Sequence, residues 1–143
     1  MFKNLTILCS ITCLTLILAG CYSIAPATIT DKETLHSAKT AYIVVNPKVI
    51  GSFQDLISAD LASRGIKTQI GPISEKPDNV DIYVTYVAYH SWDMSRYLKS
   101  YTITIFDNKT NTMLAADNFR TGFWHDFANS TKVTSIMIDN MFN

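Results

Sequence analysis

The chain has 143 residues, 48% hydrophobic and 17% charged, with 12 basic and 12 acidic side chains. That composition belongs to a folded chain and not to a disordered one. Formal neutrality without any basic cluster excludes a nucleic-acid stripe and a polybasic membrane patch, so no nucleic-acid partner is expected.

The first element is a leader. Met1 to Asn4 carries one cation, Lys3, and Leu5 to Leu18 is an apolar run broken only by small or hydroxyl residues and two cysteines. The run is shorter than the ~20 apolar residues a bilayer span needs. It ends in small residues, as a cleavage site does. Leu18-Ala19-Gly20-Cys21 resembles the lipobox of bacterial lipoproteins. That resemblance implies a signal peptide over 1–20, diacylglycerol on the Cys21 sulfur, cleavage before it, and a palmitate-type chain on the new amino terminus. Two or three acyl chains anchor stably where one is marginal. No other cofactor is expected. Cys9, Cys13 and Cys21 are the only cysteines, so the mature chain cannot form an internal disulfide and must rest on packing. In the enterobacterial lipoproteins this resembles, aspartate after the lipidated cysteine signals inner-membrane retention. Tyr22 stands there instead and favours the outer membrane. Residues 21–39, with Pro26 and no clear period, read as the lipidated cysteine and a flexible tether.

One globular domain is expected over 40–143. Ala41 to Val45 is a continuous apolar, β-branched stretch, the pattern of a strand buried on both faces. Asn46-Pro47 ends it. From Ile50 the period becomes helical through Phe53, Leu56, Ile57 and Leu61, and Arg64-Gly65 closes the helix. Ile66 to Ile70 is a second strand, and strand, helix, strand predicts a right-handed crossover with the two strands parallel. A proline-containing loop follows over 71–79. Val80 to His90 and Tyr97 to Asp107 alternate as half-buried strands, Asp107 to Asn111 is a polar hairpin loop, and Thr112 to Thr121 returns as a strand. Ser130 or Thr131 caps a last helix carrying Val133, Ile136, Met137 and Met141. The predicted class is α/β (α+β): a mixed sheet in the order β-α-β-β-β-β-α, with both helices on one face.

Two clusters stand out: His90-Ser91-Trp92-Asp93 with Arg96 and Tyr97, and Phe123-Trp124-His125-Asp126-Phe127. If the last three strands form a meander, the end of the first and the end of the third meet at one sheet edge, ~10 Å apart across the middle strand. His90, Trp92, Asp93, Arg96, Trp124, His125 and Asp126 then form a rim. Three readings compete for it. Both tryptophans close the end of the core; or the rim binds a protein partner, since Trp, Tyr and Arg dominate interface hot spots; or the His and Asp residues hold a metal, although no tight H-x-x-x-H or H-x-x-E spacing supports that. The outer tyrosines, Tyr83 and Tyr89, are expected to be covered by neighbouring strands or by the tether. The chain has no G-x-S-x-G elbow, no phosphate-binding loop, and no Ser, His and Asp in recognisable roles. An enzyme is not expected.

Ser91-Trp92-Asp93-Met94, then Tyr97-Leu98, Ile103 to Thr110 and Leu114-Ala115, resemble a signature of small Gram-negative outer-membrane lipoproteins. Asn111 replaces the usual hairpin glycine. The resemblance implies a fold similar to the amino-terminal domain of the Tol system's TolB protein and to lipoprotein subunits of envelope assembly machines. No functional residue is carried over. The expected function is that of a non-enzymatic accessory or adaptor of an envelope complex, anchored in the outer membrane and facing the periplasm, with a protein partner there. An inhibitor or immunity lipoprotein that neutralises a toxin or hydrolase is the alternative, and a small metal-dependent enzyme a third.

Overall fold

Alternation is the strongest signal in the chain, and the longest strands follow it. Ile82, Val84, Tyr86 and Ala88 are buried while Val87 and Tyr89 are exposed, as expected where one sheet face packs on a core and the other meets solvent. The computed structural model describes residues 22–122 and 128–143. Within them the strands are β1 (Tyr22–Ile24), β2 (Thr28–Ile29), β3 (Thr40–Val44), β4 (Lys67–Gly71), β5 (Ile82–Asp93), β6 (Ser95–Asp107) and β7 (Met113–Thr121). The α-helices are α1 (Lys32–Ser37), α2 (Phe53–Ser63) and α3 (Ser130–Phe142). This is one small α+β domain with a mixed seven-stranded sheet.

The sheet order is β1-β7-β6-β5-β3-β4, with β2 also on β7. The predicted parallel crossover is present: Thr40 to Val44 pairs with Lys67 to Gly71, and Ala41 to Ile43 pairs in parallel with Ile82 to Val84. The last three long strands form the predicted antiparallel meander. Phe53, Ile57 and Leu61 of α2 join Val133, Met137, Ile138 and Met141 of α3 in one core with the inward strand residues Ile43, Val84, Tyr101, Ile103 and Ile105. Both predicted helices therefore lie on the same face. Burying such side chains contributes ~1.5–3 kcal/mol each.

Four expectations need correction. Residues 22–39 are not a tether: Tyr22 pairs with Thr121, Thr28 with Ala116, and Leu35 of α1 is fully buried. Strands of two or three residues and a helix of under two turns are too short to show a period, so only tertiary pairing defines them. The first long helix begins at Phe53, not Ile50, because Gly51 adopts φ +112° and Ile50 is left exposed. The last helix is capped by Asn129, whose side chain accepts from the N–H groups of Thr131 and Lys132. Finally, β5 runs past the expected end at His90 to Asp93, and β6 begins at Ser95 and not at Tyr97, so the first rim cluster lies in a paired ribbon. Its reversal falls on Met94 at φ +56°, a residue type outside the usual turn menu.

Candidate functional site

The ribbon tip builds the site. β7 leaves β6 early: Ser100 pairs with Arg120, and the Thr121 hydroxyl donates to the carbonyls of Leu98 and Lys99 at 3.0 and 2.9 Å. β5 and β6 continue together through His90↔Leu98 and Trp92↔Arg96 to Asp93↔Ser95. At ~3.4 Å per residue, the ribbon extends ~14 Å beyond the end of β7. A bulge lies at its base, where Tyr89 pairs with Ser100 and His90 with Leu98, which leaves Lys99 out of register. Such an insertion bends the strand and increases its twist.

The ribbon has a buried base and an exposed tip. His90 faces Phe53, with ring centroids 6.0 Å apart, and Phe53 packs on Tyr101 at 4.7 Å and Tyr86 at 6.3 Å. Burial, and then the positive charge of Arg96, push the His90 pKa below its ordinary value. A pocket of ≈ 210 Å³ opens here, lined by His90, Arg96, Tyr97, Leu98, Ala128 and Ser130. Trp92 is 75% exposed and Met94 91%. Trp92 therefore does not close the core. Phe53, Tyr86 and Tyr101 do that. Among the described residues, no three His, Cys, Asp or Glu side chains are grouped to hold a metal.

The structure thus brings together His90, Trp92, Asp93 and Arg96. Trp124, His125 and Asp126 lie outside the described residues, as does Cys21, and the meeting of the two tryptophans stays an expectation. Tyr22, one residue after Cys21, begins β1 opposite Thr121. The segment following Cys21 therefore joins the sheet at the end from which the ribbon projects. Sequence reasoning missed two members of the exposed surface. Met94 carried no turn signal. Val87, 40% exposed, sits on the sheet face opposite the helices with Tyr89, which is 63% exposed and not covered as expected. On that face Tyr83 stacks on Phe106 at 4.9 Å with Lys76 above it, so this tyrosine is half-covered. No described helix is long and apolar enough to cross a membrane.

The class defined by these features is an α+β domain with one helix-covered sheet face, one open face and a protruding ribbon. No protein-family model and no curated protein matches the chain. Among solved structures it is similar to a PelC point-variant dodecamer from Paraburkholderia phytofirmans, at 13% identity over 84% of this chain and 96% of that one, TM-score 0.56. It is also similar to a second PelC dodecamer from the same organism, at 13% identity over 84% and 92%, TM-score 0.50. A minor lipoprotein from Acinetobacter baumannii aligns over 73% of this chain and 82% of that one, at 12% identity and TM-score 0.35. At these identities the PelC likeness establishes the fold.

Proposed function

We propose that this chain is a lipid-anchored accessory protein of the bacterial envelope, held in the outer membrane through Cys21, facing the periplasm and working by binding and not by catalysis. One observation carries the binding role: Val87 and Tyr89 stand exposed on the open face of a sheet whose other face is packed by helices. Apolar and aromatic side chains left outside a completed core are a usual mark of an interaction surface. The leader and Cys21 supply the anchoring half of the reading, and the resemblance to small outer-membrane lipoproteins supports the location. The PelC structures are dodecamers, which supports further copies of this chain as part of the assembly. Anchoring raises the effective concentration of neighbours in the membrane plane, so a modest interface suffices.

The test is cross-linking and co-purification of the full chain from membranes in mild detergent, with native mass measurement. Val87→Asp combined with Tyr89→Asp is expected to lose the cross-linked species while remaining folded. Recovery of the same partners and the same mass by the double variant overturns the assignment of this face.

A further inference from the structure

The geometry points to a membrane-contacting role for the β5–β6 ribbon tip: we propose that Trp92 and Met94 insert into the headgroup boundary of the same leaflet that holds the Cys21 lipid. This rests on the anchoring reading and adds to it a second contact and a fixed orientation.

Three observations converge. The first is where the chain emerges. Tyr22 is paired with Thr121, so the chain is in the sheet one residue after Cys21. Sheet neighbours run β1-β7-β6, which puts Tyr22, the first described residue, ~10 Å to the side of β6, while Met94 reaches ~14 Å further along the strands than Tyr22 does. A plane inclined at roughly 40° to straight strands touches both. A bilayer holding the thioether at its boundary therefore meets the tip when the sheet leans by that much.

The second is the chemistry of the tip. Trp92, 75% exposed, and Met94, 91% exposed, are its large apolar side chains. Tryptophan prefers the membrane–water boundary, where its ring is apolar and its N–H finds a polar partner. Arg96 is exposed directly across from Trp92, and Lys99 is exposed further back with Arg120 at the end of β7, where cations meet lipid phosphates. Asp93 is the one acidic side chain of the tip and limits insertion to the headgroup region. So does the reversal itself, whose backbone groups need polar company.

The third is strain. Met94 closes the hairpin at φ +56°, a conformation that glycine or asparagine adopts at lower cost. Folding alone favours a small residue there, so the long apolar side chain points to a role outside the domain.

The experiment uses the full lipidated chain with Trp124→Phe, which leaves Trp92 as the only tryptophan. It is reconstituted in phosphatidylethanolamine–phosphatidylglycerol vesicles, with and without brominated acyl chains. The expected result is a blue shift of Trp92 emission relative to the Cys21→Ser chain in buffer, with most of its intensity lost on brominated lipid. Buffer-like, unquenched emission from a chain whose Cys21 lipid is confirmed by mass spectrometry overturns the ribbon contact and leaves the anchor standing. A blue shift without bromine quenching, growing with protein density, assigns the tip to another copy and also overturns it. An unmodified Cys21 overturns the anchor and this proposal together.

Discussion

Gly71 offers the sharpest test of the packing. A Cβ at this position would stand 2.2 Å from the Tyr42 hydroxyl oxygen and 3.2 Å from Cζ. Tyr42 is 4% exposed and donates to the Pro72 carbonyl at 3.0 Å. For Gly71→Ala the phenol must retreat by more than ~1 Å to reach ordinary contact distance, which breaks that hydrogen bond and presses on a packed ring. Overpacking of this kind costs ~1–3 kcal/mol, and with the lost bond we expect about 2–3 kcal/mol for Gly71→Ala. At an m-value near 1.5 kcal/mol/M, the urea midpoint falls by ~1.3–2 M. In a Tyr42→Phe background the hydroxyl is gone and only the 3.2 Å ring contact remains. There, Gly71→Ala should cost less than ~1 kcal/mol. The assay is urea unfolding of the four Cys21→Ser chains by circular dichroism. Equal costs in both backgrounds, or a Gly71→Ala midpoint within error of the parent, refute the reasoning.

Further outcomes follow from single sites. Asn111 sits at φ +55° in the β6–β7 loop, so Asn111→Gly is neutral or slightly stabilising, while Asn111→Val costs ~1–2 kcal/mol in thermal or urea unfolding. Met94→Gly relieves the same kind of strain and should raise stability by ~0.5–1 kcal/mol while abolishing nothing in the fold. Asp117 is buried, accepts from Asn118 N–H and from Asn140 Nδ2, and burial pushes its pKa up. A raised carboxyl pKa means the folded state holds the proton more tightly. That contribution is therefore complete below the unfolded pKa, ~3.9, and lost as pH rises through the folded value. Asp117→Asn should accordingly gain on the parent as urea midpoints are followed from pH 4 to 8. Asp81 behaves oppositely. Hydrogen bonds from the Lys39 and Thr40 N–H groups and the Thr40 hydroxyl hold its pKa down, so its stabilisation is present above ~3.9 and lost on acidification through the folded value. Asp81→Ala should flatten the acid side of the unfolding curve.

Much of this was legible in the amino-acid order alone. Alternation from Ile82 to Ala88 and from Tyr101 to Ile105 specified half-buried strands and their inward face, and the Phe53–Leu61 stripe with Gly65, at φ +82°, specified a helix and its stop. These are local signals, carried by side-chain spacing and by the one residue that tolerates a left-handed turn at no cost. The strand–helix–strand spacing likewise foretold the parallel pairing of β3 with β4.

What the chain's neighbours in space decided is of another kind. Tyr22–Ile24 and Thr28–Ile29 are strands only because β7 offers them a free edge, and such short segments have no structure of their own. The exposure of Trp92 depends on β5 and β6 outrunning β7, a difference of strand lengths that alternation does not encode. Burial and position are sums over contacts made by residues distant in sequence, so only the assembled sheet fixes them.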